Sequence, residues 1–147
     1  MRVALSTFKS VLDTVKVVAG RSTDRERAGF AERQRSGVGS YLTADDIAHR
    51  SSVVTSDLFR MIPGVRVDVD TGGFEKQLLV RGRKLAEWCK AAIYLDGHHL
   101  DGLSASDIDD TLRPNEIAGI EVYAGASVPP QFQQAFSGCG SIVIWRK

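Results

Sequence analysis

Asp57-Leu58-Phe59-Arg60-Met61-Ile62-Pro63-Gly64-Val65-Arg66-Val67-Asp68-Val69-Asp70 decides the fold, because its periodicity changes in mid-stretch. Leu58, Phe59 and Ile62 recur at helical spacing, so the first half predicts a short helix, capped by Thr55 or Ser56. Pro63 cannot extend a helix, and Gly64 takes the left-handed turn that closes one. Val65, Val67 and Val69 then alternate with Arg66, Asp68 and Asp70, which predicts a strand with one buried and one wet face. Helix and strand thus share one core.

Outward from this junction the chain keeps the same style. Thr71-Gly72-Gly73 is a turn, and Gln77–Arg81 is the returning strand. Ala91–Leu95 is an apolar strand closed by Asp96-Gly97, a two-residue hairpin signal. Ser106–Leu112 predicts a helix stopped before Pro114, and Pro114 or Asn115 starts one more helical turn. Ile120–Tyr123 and Gly140–Trp145 are the last strands. On the N-terminal side, residues 39–42 predict a short strand, and Thr43 with Asp46 caps a helix reaching about His49. Before it comes a polar helix over 24–35, opened by a Thr23–Glu26 capping pattern and followed by Gly37. Residues 12–19 are extended and rich in valine. The class is α+β: a small mixed β-sheet with short helices inserted between hairpins. The organisation predicted is an N-terminal extension over 1–38 and one domain over 39–147.

Composition bounds the function. The chain has 147 residues, 43% hydrophobic and 25% charged, enough to bury a core without metals. The net charge is +1, which gives no electrostatic reason to expect nucleic acid. The arginines between Arg21 and Arg35 are interleaved with Asp24, Glu26 and Glu32, the pattern of a solvated helix face. No apolar run approaches the roughly 18 residues of a membrane helix. The first 20 residues do not read as a secretory signal, since Lys9, Asp13 and Lys16 interrupt any apolar stretch. Serine-hydrolase elbow, zinc-protease helix and phosphate-binding loop are all missing, so no enzyme is expected. Asp107, Asp109 and Asp110 lack the spacing of a calcium loop and suit an acidic helix start. His98 and His99 are adjacent, so on a strand they face opposite ways; neither a metal nor a cofactor is expected. Trp88, Trp145, Tyr123 and Phe132 read as core or edge packing.

Cys89 precedes the Ala91–Leu95 strand and Cys139 precedes the Ser141–Trp145 strand. If those strands are parallel neighbours, both thiols lie at one sheet end and can bridge. Such a bridge, closing a loop of about 50 residues, is worth on the order of 2–4 kcal/mol. Two separate buried thiols are the alternative.

Several pieces stand in a fixed order: Asp57 to Val67; Leu79-Val80-Arg81-Gly82; Ile93-Tyr94-Leu95-Asp96-Gly97; Pro114-Asn115-Glu116-Ile117; Ile120-Glu121-Val122-Tyr123 with Gly125; and Gly138 to Ile144. Each is weak alone. In this order, over residues 43–147, they resemble the plug domain of TonB-dependent outer-membrane receptors. The resemblance implies a binding and gating module on the periplasmic side of the outer membrane. Its implied partners are an outer-membrane β-barrel and the C-terminal domain of TonB, with a small-molecule ligand that the sequence does not identify. It also implies that Arg81, Gly82, Asp96, Gly97 and Glu121 mark plug motifs, with polar positions turned to the barrel wall. Arg81 and Glu121 are expected either to pair on the polar side of the sheet or to be solvated separately.

Upstream, Asp13-Thr14-Val15-Lys16-Val17-Val18-Ala19 resembles a TonB box, the segment that pairs its backbone with a strand of TonB. Val18 stands where threonine is usual, and Lys16 where an apolar residue is common. An ordinary strand is the alternative reading. The chain is expected to be a stand-alone, barrel-less plug, because it stops where the family's first barrel strand would begin. A periplasmic adaptor with a plug fold, or a fragment of a larger receptor, is the other expectation.

Overall fold

The computed structural model describes residues 27, 29–83, 87–133 and 139–147. A helix, α1, is described at residue 27 and over 29–36. Then follow β1 (Ser40–Thr43), α2 (Ala44–Arg50), α3 (Thr55–Arg60), β2 (Val65–Val69), β3 (Lys76–Arg81), β4 (Trp88–Lys90), β5 (Ala92–Leu95), β6 (His98–Leu100), α4 (Ala105–Thr111), β7 (Ile117–Tyr123) and β8 (Ser141–Arg146). The strands make two sheets: five strands in the order β1-β7-β8-β5-β6, and three in the order β2-β3-β4. Strands β5 and β8 are parallel; every other described pairing is antiparallel.

The sequence reading of one small mixed sheet is refined here. Val65–Val69 pairs only within the three-stranded sheet, which packs against the larger one through Leu78 and Val80. Strand β4 went unread, because three residues are too few to show a period, whereas β6 is the return strand that the Asp96-Gly97 hairpin signal implied.

Strand β8 explains the layering. Ser141, Ile142, Val143, Ile144 and Trp145 are all buried, so both faces of the five-stranded sheet are covered. On one face Ile142 and Ile144 join Ile120, Val122 and Ile93 under Ile47 of α2, Leu58 and Phe59 of α3, and Ile108 of α4. On the other, Val143 and Trp145 join Tyr94, Tyr123, Val128 and Phe132, with Phe30 and Tyr41 packed against them. A bulge between Ile117 and Gly119 lets Ile117 and Ile120, three apart, reach the same face.

Local chemistry fixes the helices. Thr43 and Ser104 each make a full capping box, with Asp46 and Asp107. Neither Thr55 nor Ser56 caps α3, contrary to the sequence reading: Val54 is the N-cap and has no capping bond. The Thr55 hydroxyl instead donates to the Leu112 carbonyl at 2.7 Å. Asp109 of α4 accepts from both the backbone and the hydroxyl of Ser56, each at 2.7 Å, so α4 caps α3 from outside. That accounts for one member of the acidic cluster, and the Ser104 capping box for another. Gly64, at φ +82°, turns α3 into β2 as the proline–glycine pair required.

Candidate functional site

Glu121 is the unusual residue. It sits between Ile120 and Val122 on a central strand, so its side chain points away from the face those two bury. The sequence reading left that side open between an internal pairing with Arg81, solvent and a barrel wall. In fact the second face is covered as well, and Glu121 is 0% exposed. A buried carboxylate is tolerable only with full hydrogen bonding and a counter-charge, and both are present. Arg33 of α1 donates from Nε to Oε1 at 2.6 Å and from Nη2 to Oε2 at 2.8 Å. The Trp145 indole N–H donates to Oε2 at 2.6 Å, and the Tyr123 hydroxyl donates to Oε1. Each carboxylate oxygen therefore holds one guanidinium N–H and one donor fixed in the sheet.

The surroundings complete the site. The Arg33 guanidinium lies 5.2 Å from the centre of the Phe132 ring, within cation–π range. Burial opposes its charge, but the Glu121 hydrogen bond and charge more than offset that, and its pKa is raised. The Tyr123 hydroxyl is pushed well above the usual tyrosine range, first by burial and then by its bond to Glu121. Tyr41 packs edge-on between Phe30 and Tyr123, with ring centres 5.8 and 5.9 Å away. Its buried hydroxyl makes no well-formed hydrogen bond among the described residues.

The expected pairing of Arg81 with Glu121 does not occur. The two lie in different sheets, on β3 and β7. Arg81 instead stacks over Trp88, 4.4 Å from the ring centre, and Arg66 approaches the same ring at 5.7 Å. Glu121's true partner lies in the arginine-rich segment that read as a solvated face. Only one signal pointed there: Phe30 and Arg33, three apart, share a helix face, and a lone glutamate interrupts an apolar strand.

The other sequence-predicted positions are structural in their described contacts. Asp96 and Gly97 form the β5–β6 turn, both at positive φ, 52° and 87°. Asp96 also accepts from the Arg146 backbone N–H at 2.8 Å and from its Nε at 2.6 Å, tying the ends of β5 and β8. Gly82 donates its N–H to the Glu87 carbonyl at 3.0 Å. Cys89 and Cys139 are joined as a disulfide, with Cα atoms 5.8 Å apart, and β5 and β8 are the parallel neighbours that the bridge required. His98 is exposed while His99 packs on Tyr94, 5.2 Å between ring centres. Asp13, Thr14, Val15, Lys16, Val17, Val18 and Ala19 lie outside the described residues, as do Thr23 and Glu26.

Comparison with known proteins gives the family. The model of the TonB-dependent receptor plug domain matches residues 31–138, well over half of the chain. The chain belongs to the TonB-dependent receptor plug domain family. This is a family of outer-membrane receptor components, not an enzymatic one. Solved receptors share the plug fold. A variant of the ferric enterobactin receptor PfeA from Pseudomonas aeruginosa is 22% identical with a TM-score of 0.55, covering 75% of this chain and 17% of that one. The siderophore receptor PirA from Acinetobacter baumannii is 19% identical with a TM-score of 0.57, again over 75% and 17%. FpvAI, in its complex with pyocin S2, is 18% identical with a TM-score of 0.55, over 74% and 14%. The chain thus spans less than a fifth of the receptors it resembles, and at these identities the likeness establishes the fold. No curated protein matches the chain.

Proposed function

We propose that this plug domain is a receptor module on the periplasmic side of the outer membrane, gating or binding a small ligand together with a β-barrel and answering to TonB. The observation that carries this reading is the family match over 31–138, with the TonB-box-like segment Asp13–Ala19 upstream of it. In this reading residues 1–38 are the extension that TonB engages and 39–147 the plug. Asp13, Thr14, Val15, Val17, Val18 and Ala19 offer a backbone edge for strand addition, which asks little of side chains beyond β-branching. A peptide spanning Leu12 to Gly20 should bind the C-terminal domain of TonB in a titration. Deleting Asp13 to Ala19 should abolish that binding and leave the fold intact. If the deletion unfolds the domain, the segment belongs to the sheet and the TonB assignment fails.

A second reading has its own support. Glu121 is satisfied by Arg33 and Arg81 by Trp88, so both polar plug positions find partners within the chain. That favours a periplasmic interaction domain which keeps the plug fold without transport. Purification from envelope extracts separates the two: a co-purifying barrel protein supports the receptor module, and soluble partners alone support the adaptor.

A further inference from the structure

We infer that Glu121, Tyr123, Trp145 and Phe132 form a guanidinium socket, filled within the chain by Arg33 on a liftable helix and open to an arginine of a partner polypeptide when α1 withdraws. The argument starts from which parts of the site depend on α1. Glu121 and Tyr123 lie on β7 and Trp145 on β8, two adjacent central strands paired over most of their length. The Trp145 N–H and the Tyr123 hydroxyl hold one carboxylate oxygen each, so the carboxylate keeps its orientation with or without α1. Phe132 is placed by its own 3-10 turn and by the Ser141 hydroxyl, which donates to the Phe132 carbonyl at 2.6 Å. A fixed carboxylate offering one free edge, walled by an aromatic ring, suits a planar fork of N–H donors better than a compact ammonium.

Helix α1 supplies only the plug for this socket. From residue 30 to 36, Phe30 and Arg33 alone turn inward; Ala31, Glu32, Gln34, Arg35 and Ser36 are exposed. Phe30 lies over Gly119, where an added Cβ would come within 3.2 Å of its ring. The helix then joins β1 through Gly37-Val38-Gly39, with Gly37 at φ +71° and Val38 56% exposed. Over residues 30–36, a stretch of helix that turns two side chains inward and ends at a glycine-flanked joint opens at lower cost than the strands beneath it.

The test uses the full chain. Arg33→Ala empties the socket, and methylguanidinium is the probe, with methylammonium as the point-charge control. Methylguanidinium at about ten times its Kd should raise the folded-to-unfolded ratio of the variant about tenfold, while methylammonium does little and wild type gains nothing. If Arg33→Ala does not fold, Arg33→Gln, which keeps a polar stem, takes its place. Equal rescue by both ions, or none, overturns the socket. Hydrogen exchange on wild type tests the lid. Amides of residues 30–36 should exchange well before those of β7, and faster still with methylguanidinium. Exchange of α1 together with β7, unmoved by the probe, would overturn the lid.

Discussion

The two faces of the five-stranded sheet are closed by different physics. The first is apolar throughout and lies under three helices and a second sheet, so its closure rests on non-directional burial. The second is aromatic around one buried ion pair and lies under α1 and the segment carrying Val128 and Phe132. Apolar burial tolerates exchange among side chains of similar volume. A buried carboxylate tolerates almost nothing: lose a donor and its desolvation cost stands uncompensated. The first face therefore gives the domain its stability, while the second fixes where one particular helix must sit.

The sharpest way to break this comparison is Arg33→Ala. Leaving Glu121 buried without its counter-charge should cost about 3–5 kcal/mol in urea unfolding, as much as a large cavity in the apolar core. Arg33→Met combined with Glu121→Leu should recover only part of that loss, because it removes both charges but leaves the buried Trp145 N–H and Tyr123 hydroxyl without their acceptor. A single variant that costs nothing would mean that the pair is solvated in solution.

Next in size comes the disulfide. Cys89 stands opposite Val80, a core residue, so the bridge to Cys139 helps fasten the three-stranded sheet onto the apolar face. Reduction should lower stability by about 2–4 kcal/mol. It should leave hydrogen exchange of α1 relative to β7 unchanged, since α1 covers the opposite side.

A milder probe asks whether the faces are independent. Ile120→Val trims one methylene from the apolar side and should cost about 0.5–1.5 kcal/mol. Combined with Arg33→Ala, its effect should add to within about 0.5 kcal/mol. Strong coupling would mean that the sheet transmits strain from one face to the other.

The apolar face was legible in the sequence for the same reason that it is robust. Leu58, Phe59, Val65 and Val67 announce their faces by period, and Pro63-Gly64 and Asp96-Gly97 announce their turns by backbone chemistry. The second face was not legible. Alternation along β7 tells that Glu121 opposes Ile120, but not whether the opposing side is wet. That depends on α1, which lies 88 residues away in sequence and carries an arginine pattern indistinguishable from a solvated surface. The helix caps divide in the same way. Thr43–Asp46 is a local pattern and was read correctly, whereas Asp109 capping Ser56 across 53 residues left no local trace. The disulfide was legible because two strand starts brought both cysteines to one end of the sheet.

Acid titration gives the smallest effect and acts on the edges of the apolar face. Helices α2 and α4 both begin at capping boxes, and the hydrogen bond from the Thr43 backbone N–H to Asp46, then its hydroxyl, holds that carboxyl below the usual range. The Ser104 backbone N–H and hydroxyl do the same for Asp107. A carboxylate whose pKa is depressed in the folded state contributes stability above its unfolded value, near 3.8 for an aspartate, and loses it as pH falls through the folded value. Stability should therefore decline as pH drops from about 5 to about 3. The decline should be shallower in Asp46→Asn and in Asp107→Asn, because neither amide titrates. An unchanged slope in both variants would place the acid sensitivity elsewhere in the molecule, and the caps would then matter to α2 and α4 only as neutral hydrogen bonds.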